Sequence, residues 1–118
     1  MGMFSVRIEV TSVTGQTFEE VDAIVDTGSD WSTIPRVILE RAGVPVTRQA
    51  VSLMADGRQT NSDAGWAKMR LEGQEIYAPV IFGEQGEATL LGATALEGAA
   101  LGVDANNQRL IPVTLRRY

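Results

Sequence analysis

Turn-forming residues recur at short intervals along this sequence and leave only short apolar stretches between them. Residues 4–10 alternate apolar with polar side chains, which is the period of a half-buried strand. Polar or glycine-bearing turns at 14–16, 55–63 and 72–74 separate further strands, which we predict at residues 17–25, 46–54, 64–71 and 76–82. Short strands with a turn about every 8–12 residues are typical of an all-β barrel or sandwich.

Two short helices are predicted within this β-rich pattern. Pro35 suits the start of a helix, and Gly43 suits the position just past its end. Residues 89–103 indicate a short strand followed by a second helix, which we expect Gly102 to terminate. The fold class is therefore all-β with one or two short helices.

One strand of this pattern contains a proline. Pro79 lies inside the apolar strand 76–82, and because proline has no N–H to donate we expect an edge position or a bulge there. Beyond the second helix, the last strands are predicted at Val103 and at residues 110–115, around a turn at Asn106-Asn107.

Composition restricts the chemistry that this chain can perform. Its 118 residues are enough for a single domain, 1–118, with a real core. The chain has neither cysteine nor histidine, which excludes disulfides, thiolate metal sites and any Ser-His-Asp or Cys-His arrangement. Its one lysine is Lys68. Acid–base catalysis near neutral pH therefore points first to a carboxylate.

The charge of the chain also bears on its partners and location. A formal net charge of −5 disfavours nucleic acid or an anionic membrane as the main partner, because both require a clustered positive surface. No apolar run approaches the ~20 residues of a membrane span. The first residues, MGMFSVRIEV, lack the basic start and long apolar segment of a signal peptide. We therefore expect a soluble, cytoplasmic protein.

The stretch AIVDTGSDWSTIP, residues 23–35, places Asp26 directly after an apolar run and before a turn. One interpretation is an ordinary strand end, because Asp, Gly and Ser all favour turns. The other is a catalytic carboxylate held on a tight loop. The tripeptide Asp26-Thr27-Gly28 occurs often by chance and does not decide between them alone.

Two further elements accompany this tripeptide in order. A polar, glycine-bearing hairpin is predicted around Ala55-Asp56-Gly57-Arg58, and Leu90-Leu91-Gly92 precedes the second helix. With the Asp-Thr-Gly loop, this pattern resembles the retroviral-type (retropepsin-like) aspartic proteases, including their small bacterial single-domain members. The resemblance extends from about residue 4 to 113 and implies a closed or nearly closed β-barrel.

The resemblance implies a catalytic role for Asp26 and support of its loop by Thr27, Gly28 and Ser29. Because the chain has only one such loop, the second carboxylate of the site must come from a second copy, so each chain supplies one half-site of a homodimer. Two adjacent carboxylates cannot both ionise, and the pair shares one proton. The resemblance implies neither a metal nor another cofactor.

The same resemblance implies an extended peptide or protein substrate covered by a hairpin. Tentative substrate-binding residues in the hairpin and pocket are Ile24, Ala55, Asp56, Gly57, Arg58, Leu90, Leu91 and Gly92. We expect mainly apolar pockets and hydrophobic side chains around the cleaved bond. Two alternatives stay open: a catalytically silent peptide-binding or adaptor module on the same fold, and a self-processing protease domain released from a precursor.

Overall fold

Nine strands and two short helices make up the computed structural model, which describes residues 3–117. The strands are β1 (Ser5–Thr11), β2 (Glu19–Val25), β3 (Ser32–Pro35), β4 (Arg48–Leu53), β5 (Gln59–Leu71), β6 (Gln74–Gly83), β7 (Leu90–Leu91), β8 (Leu101–Asp104) and β9 (Arg109–Pro112). The helices are α1 (Arg36–Arg41) and α2 (Ala93–Gly98). Met1, Gly2 and Tyr118 lie outside the described residues.

Six strands form a closed ring in the order β1-β2-β7-β3-β6-β5, with β5 pairing back onto β1. The closing pairs join Glu9 to Arg70 and Thr11 to Lys68 in antiparallel register. The all-β fold with a closed barrel is thus confirmed. Closure removes the free strand edges that an open sheet of this size would leave exposed.

The two halves of β5 have different partners. Residues 64–71 of β5 pair with β6 inside the ring, whereas residues 59–64 pair with β4. The β4–β5 hairpin therefore extends away from the barrel as an arm, with β4 as the end strand of the sheet. A separate two-stranded sheet, β8–β9, follows α2.

The inward-facing residues of the ring form one apolar core. Ile8, Ile34, Leu39, Met69 and Phe82 are almost completely buried within it. Burial of each such side chain is worth about 1.5–3 kcal/mol. This core fixes the barrel whose end carries the Asp26 loop.

Helix α1 follows the sequence prediction closely. Pro35 immediately precedes it as the N-cap residue. Gly43, just after its end, has a positive φ of 79°. Glycine adopts this left-handed conformation without the steric penalty that a side chain would bring.

The prediction for Pro79 was wrong in placing its strand at an edge. β6 lies between β5 and β3, so it is an interior strand of the ring. Its pairing with β3 begins at Val80, one residue after the proline, so Pro79 itself pairs only with Trp66 on β5. The missing N–H therefore costs no hydrogen bond to β3.

Other boundaries also differ from the sequence predictions. β3 was not predicted, because four residues ending in proline give little strand signal. β5 begins at Gln59 instead of residue 64, since its first residues are polar on both faces and resemble a loop. Gly102 does not end α2; the helix ends at Gly98, and Ala100 adopts the positive φ of 55°. β9 ends at Pro112.

Neither helix is a candidate for a membrane span. Each has six residues, and no other helix occurs within residues 3–117 that has the length and apolar character for crossing a bilayer.

Candidate active site

The loop that carries Asp26 begins where β2 pairs with β7. These two strands run parallel, with Ile24 beside Leu90 and Val25 beside Leu91. The Asp26 N–H donates a hydrogen bond of 3.0 Å to the Leu91 carbonyl. Leu91 is completely buried. The core therefore fixes the backbone position of Asp26.

Both carboxylate oxygens of Asp26 accept hydrogen bonds from its own loop. The Gly28 N–H donates to Oδ1 at 2.9 Å, and the Ser29 Oγ donates to Oδ2 at 3.2 Å. The Ser29 N–H also donates to the Asp26 carbonyl at 3.2 Å. The first two of these bonds fix the orientation of the carboxylate. Asp26 is half-buried, while Thr27 and Gly28 are exposed.

Gly92 packs closely against the backbone of the segment that follows Asp26. A Cβ at this position would lie 2.6 Å from the carbonyl carbon and oxygen of Trp31, so only glycine fits without a backbone shift. The Ser32 Oγ accepts a hydrogen bond of 2.9 Å from the Gly92 N–H. At the start of α2, the Ala93 N–H donates to the Ser29 carbonyl at 2.8 Å. The loop and α2 are thus joined through the backbone.

A groove of about 940 Å³ separates the Asp26 loop from the β4–β5 hairpin. Asp26, Gly28, Ser29 and Leu90 line one wall, and residues 48–55 with Arg58 line the hairpin wall. Within this groove, Asp26 is the carboxylate that both Gly28 and Ser29 contact. A chain in extended conformation fits such a cleft between a barrel end and a hairpin arm.

Only some of the predicted substrate-binding residues line the groove in the structure. Ala55, Arg58 and Leu90 line the groove. Leu91 and Gly92 are buried beneath the Asp26 loop, and Ile24 lies in β2 beside β7. Asp56 and Gly57 form the hairpin turn outside the groove lining, with Gly57 at a φ of 89°.

The apolar pocket expected from sequence is a mixed surface in the structure. Leu53, Met54 and Ile81 line the groove, but so do charged residues of both signs. Leu53 is 73% exposed and Val51 is 68% exposed, so β4 presents apolar side chains to solvent in this part of the groove.

An ion-pair cluster, here called the Arg36 clasp, joins the base of the hairpin to the barrel. Arg36 lies at the start of α1 and reaches Asp63 of β5 at 2.7 Å and Glu84 beyond β6 at 2.8 Å. The Arg36 guanidinium also lies 5.2 Å from the centre of the Phe82 ring. The clasp is defined by Arg36, Asp63 and Glu84.

The Arg36 clasp lowers the pKa values of its two carboxyl groups. Hydrogen bonds from Gln49 and Arg36 hold the pKa of the Asp63 carboxyl below its ordinary value. The hydrogen bond from Arg36 likewise lowers the pKa of Glu84, and the paired carboxylates raise the pKa of Arg36. All three groups are therefore ionised at neutral pH.

Sequence reasoning missed several residues of this region. Ser32, Trp31 and Arg48 were not assigned to the site, although Ser32 is bonded to Gly92 and the other two line the groove. Their positions depend on contacts between distant segments, and no local pattern marks them. Residues 60–63, which line the groove, were likewise predicted to be a loop.

No metal site accompanies this arrangement in the part of the chain that the structure describes. Residues 3–117 contain no group of three or more Asp or Glu side chains placed to hold a metal ion. The side chains that line the groove offer carboxylates, hydroxyls and guanidinium groups.

Comparison with known proteins agrees with this geometry. The sequence model of a family described as aspartyl protease matches residues 8–95, which includes the Asp26 loop, the hairpin and Leu90-Leu91-Gly92. Among solved structures, the EIAV protease complexed with the inhibitor HBY-793 superposes with a TM-score of 0.55. Its identity is 15%, over 81% of this chain and 86% of that one. No curated protein sequence matches. The chain belongs to the aspartyl protease family and has the retropepsin-like fold.

Proposed function

We propose that this protein is a homodimeric aspartic endopeptidase in which two copies of Asp26 activate a water molecule. The observation that carries the proposal is the Asp26 carboxylate itself. It is half-buried at the groove, accepts hydrogen bonds from Gly28 and Ser29, and is followed by two exposed residues, Thr27 and Gly28. One domain supplies one such loop, so a complete site needs two chains.

Asp26 of each subunit has a distinct role in each cycle. The ionised carboxylate takes a proton from water as the water oxygen bonds to the peptide carbonyl carbon. The protonated carboxylate gives its proton to the carbonyl oxygen, which produces a neutral tetrahedral intermediate. When the C–N bond breaks, the protonated carboxyl gives its proton to the leaving nitrogen, and the other carboxylate takes a proton from a hydroxyl of the intermediate, which becomes the new carboxylic acid. The pair returns to one shared proton.

The loop residues support this chemistry in the proposal. The Gly28 N–H and the Ser29 hydroxyl hold the carboxylate in place before substrate arrives, which lowers the reorganisation needed during reaction. Thr27 is exposed in the single chain and does not line the groove. We assign its hydroxyl to a contact with the partner's loop.

The hairpin arm indicates how a peptide is held. β4 is the end strand of its sheet and lines the groove along its full length, so it presents backbone groups to an extended peptide. Exposed Val51, Leu53 and Met54 contribute apolar surface on the same strand and its turn. Hydrophobic side chains near the cleaved bond would cover this surface.

The test is cleavage of a mixed peptide library by wild type and by Asp26→Asn. The amide of Asn can neither take a proton from water nor share one, so cleavage is expected to fall by at least about a thousandfold. Asp22→Asn is the matched control. Asp22 lies on β2, four residues before Asp26; it is exposed, pairs with Arg7 and does not line the groove, so its variant is expected to retain full activity.

Two results would contradict the proposal. Equal cleavage by wild type and Asp26→Asn would place the catalytic acid elsewhere. Peptide binding by the wild type without cleavage at any pH from 3 to 8 would instead support a binding module on this fold. Cleavage confined to a longer precursor of this same chain would identify a self-processing domain.

A further inference from the structure

Charged side chains line both walls of the groove, and several of them form ion pairs. The Arg36 clasp neutralises two carboxylates there. Arg58, near the turn, lies 2.6 Å from Asp56. Arg48 differs, because within residues 3–117 its guanidinium takes part in no ion pair and no side-chain hydrogen bond. It is the cation of the groove that is open to an incoming anion.

Arg48 is nevertheless held in a defined position. It begins β4 at the base of the hairpin, whereas Trp31 follows the catalytic loop on the opposite wall. The Arg48 guanidinium carbon lies 5.5 Å from the centre of the Trp31 ring, within the range of a cation–π interaction. The contact therefore crosses the groove from the hairpin to the loop side.

Stacking on an aromatic ring prepares a guanidinium to bind an oxyanion. The ring covers one face of the planar group and leaves the N–H donors at its edge accessible. Because the side chain is already ordered, less rotamer entropy is lost when a ligand binds. A carboxylate matches the fork of N–H groups with two parallel hydrogen bonds.

We propose that Arg48, positioned by Trp31, forms a subsite for a carboxylate of the peptide substrate. This inference rests on the proposed peptidase function and adds an acidic element to the substrate class. The carboxylate comes from an Asp or Glu side chain or from the end of the peptide. Either source offers the same two oxygens to Arg48.

Acidic residues elsewhere in the groove restrict the position along the peptide at which an acidic side chain is accepted. Asp30 and Glu87 also line the groove, and neither forms an ion pair within residues 3–117. Like charges repel, so an acidic side chain is accepted at Arg48 and disfavoured beside these carboxylates. In a two-fold symmetric dimer the subsite occurs twice, once on each side of the cleaved bond.

The experiment profiles cleavage of a position-scanned peptide library by wild type, Arg48→Gln, Arg48→Glu and the control Arg41→Gln. Arg41 lies on α1, is exposed, and does not line the groove, so its variant changes the net charge equally but leaves the subsite intact. Wild type and Arg41→Gln are expected to enrich Asp and Glu at one position on each side of the cut. For matched Glu and Gln peptides, Arg48→Gln is expected to lower kcat/KM about tenfold more for the Glu peptide.

Two further measurements identify which carboxylate of the peptide binds and test whether the charge of residue 48 sets the preference. If amidation of the C-terminal carboxylate lowers kcat/KM for wild type but not for Arg48→Gln, the terminal carboxylate is the ligand; if only the exchange of Glu for Gln does so, the side chain is. Where the side chain is the ligand, Arg48→Glu is expected to reverse the preference towards Lys and Arg at the same position. A wild type that prefers neither an acidic side chain nor a free C-terminal carboxylate, or a preference that is unchanged in Arg48→Gln, would overturn the subsite.

A binding measurement separates this inference from the peptidase proposal. The Kd values of the same Glu and Gln peptides are measured on Asp26→Asn and on Asp26→Asn with Arg48→Gln. One outcome is that wild type cleaves no peptide while the Glu peptide still binds about tenfold more weakly when Arg48 is replaced by Gln. In that case the peptidase proposal fails and the subsite stands. If wild type cleaves but neither cleavage nor binding depends on Arg48, the subsite alone fails.

Discussion

The Ser32 hydroxyl accepts a buried hydrogen bond of 2.9 Å from the backbone N–H of Gly92, sixty positions further along the chain. Ser32 opens β3 and Gly92 precedes α2, so this bond joins the segment after the Asp26 loop to the segment beneath it. A buried N–H without an acceptor costs about 1–3 kcal/mol. The pair therefore contributes both to stability and to the position of Asp26.

Gly92→Ala is expected to destabilise the protein and reduce its activity. The added Cβ would lie 2.6 Å from the Trp31 carbonyl, so the backbone of the loop must shift. Such overpacking costs about 1–3 kcal/mol, which urea unfolding measures. A displaced Asp26 is expected to lower kcat by about tenfold to a hundredfold.

The matched control for this variant is Gly98→Ala. A Cβ at Gly98 would make ordinary contact at 3.7 Å with Ile76, and alanine favours helix over glycine by up to about 1 kcal/mol. It is expected to be neutral or slightly stabilising and fully active. A Gly92→Ala protein as stable and active as Gly98→Ala would contradict the role given to Gly92.

Local sequence patterns were sufficient to predict part of this structure. Three features carry a local chemical signal. They are the alternating residues of β1, the proline before and the glycine after α1, and the Leu90-Leu91-Gly92 element. The place of Asp26 directly after β2 was predicted in the same way, because an acid at the end of an apolar strand followed by Thr-Gly is a recognisable pattern; its catalytic role stays a prediction. These features depend on neighbours in the chain.

Features that depend on distant partners could not be predicted. Pro79 is tolerated in an interior strand because β3 starts to pair only at Val80. Ala100 adopts a conformation typical of glycine because the Val113 N–H bonds to its carbonyl and the chain must turn into β8. The Arg48–Trp31 contact likewise joins residues of separate strands and loops.

Activity per chain is expected to rise with enzyme concentration, because two chains build one site. Thr27→Val removes the exposed hydroxyl that we assign to the partner's loop and is expected to raise the concentration for half-maximal specific activity at least about tenfold. Sedimentation across the same dilution series measures the mass. Thr14→Val, in the exposed turn between β1 and β2, serves as the control. Full specific activity from a monomer would contradict the two-chain site.

The Arg36 clasp is expected to make stability depend on pH. The pKa values of Asp63 and Glu84 are lower in the folded protein than in the unfolded chain, so their contribution is present above their ordinary range of about 4 and is lost as pH falls through the folded values. Arg36→Gln is therefore expected to lower the urea midpoint at pH 7, with the difference narrowing below about pH 4.

Arg41→Gln is the control for the clasp. Arg41 pairs with Glu19 alone, and its own side chain is 58% exposed, so this single pair is expected to contribute little to stability at any pH. A gap between wild type and Arg36→Gln that stays constant from pH 7 to pH 3 would show that Arg36 stabilises the hairpin base by packing against Phe82 and not through its carboxylates.

The Ser29 hydroxyl, which donates to Asp26 Oδ2 at 3.2 Å, is expected to hold the Asp26 carboxylate in its reactive orientation. Ser29→Ala removes this donor and leaves the Gly28 N–H, which bonds only Oδ1. A carboxylate that is less well oriented reacts more slowly, so Ser29→Ala is expected to lower kcat by about tenfold while KM changes little. Ser29→Thr, which keeps the hydroxyl, is expected to restore kcat. The measurement is kcat and KM on one peptide for all three proteins. An equal kcat in wild type and Ser29→Ala would remove Ser29 from the chemistry and leave Asp26 in it.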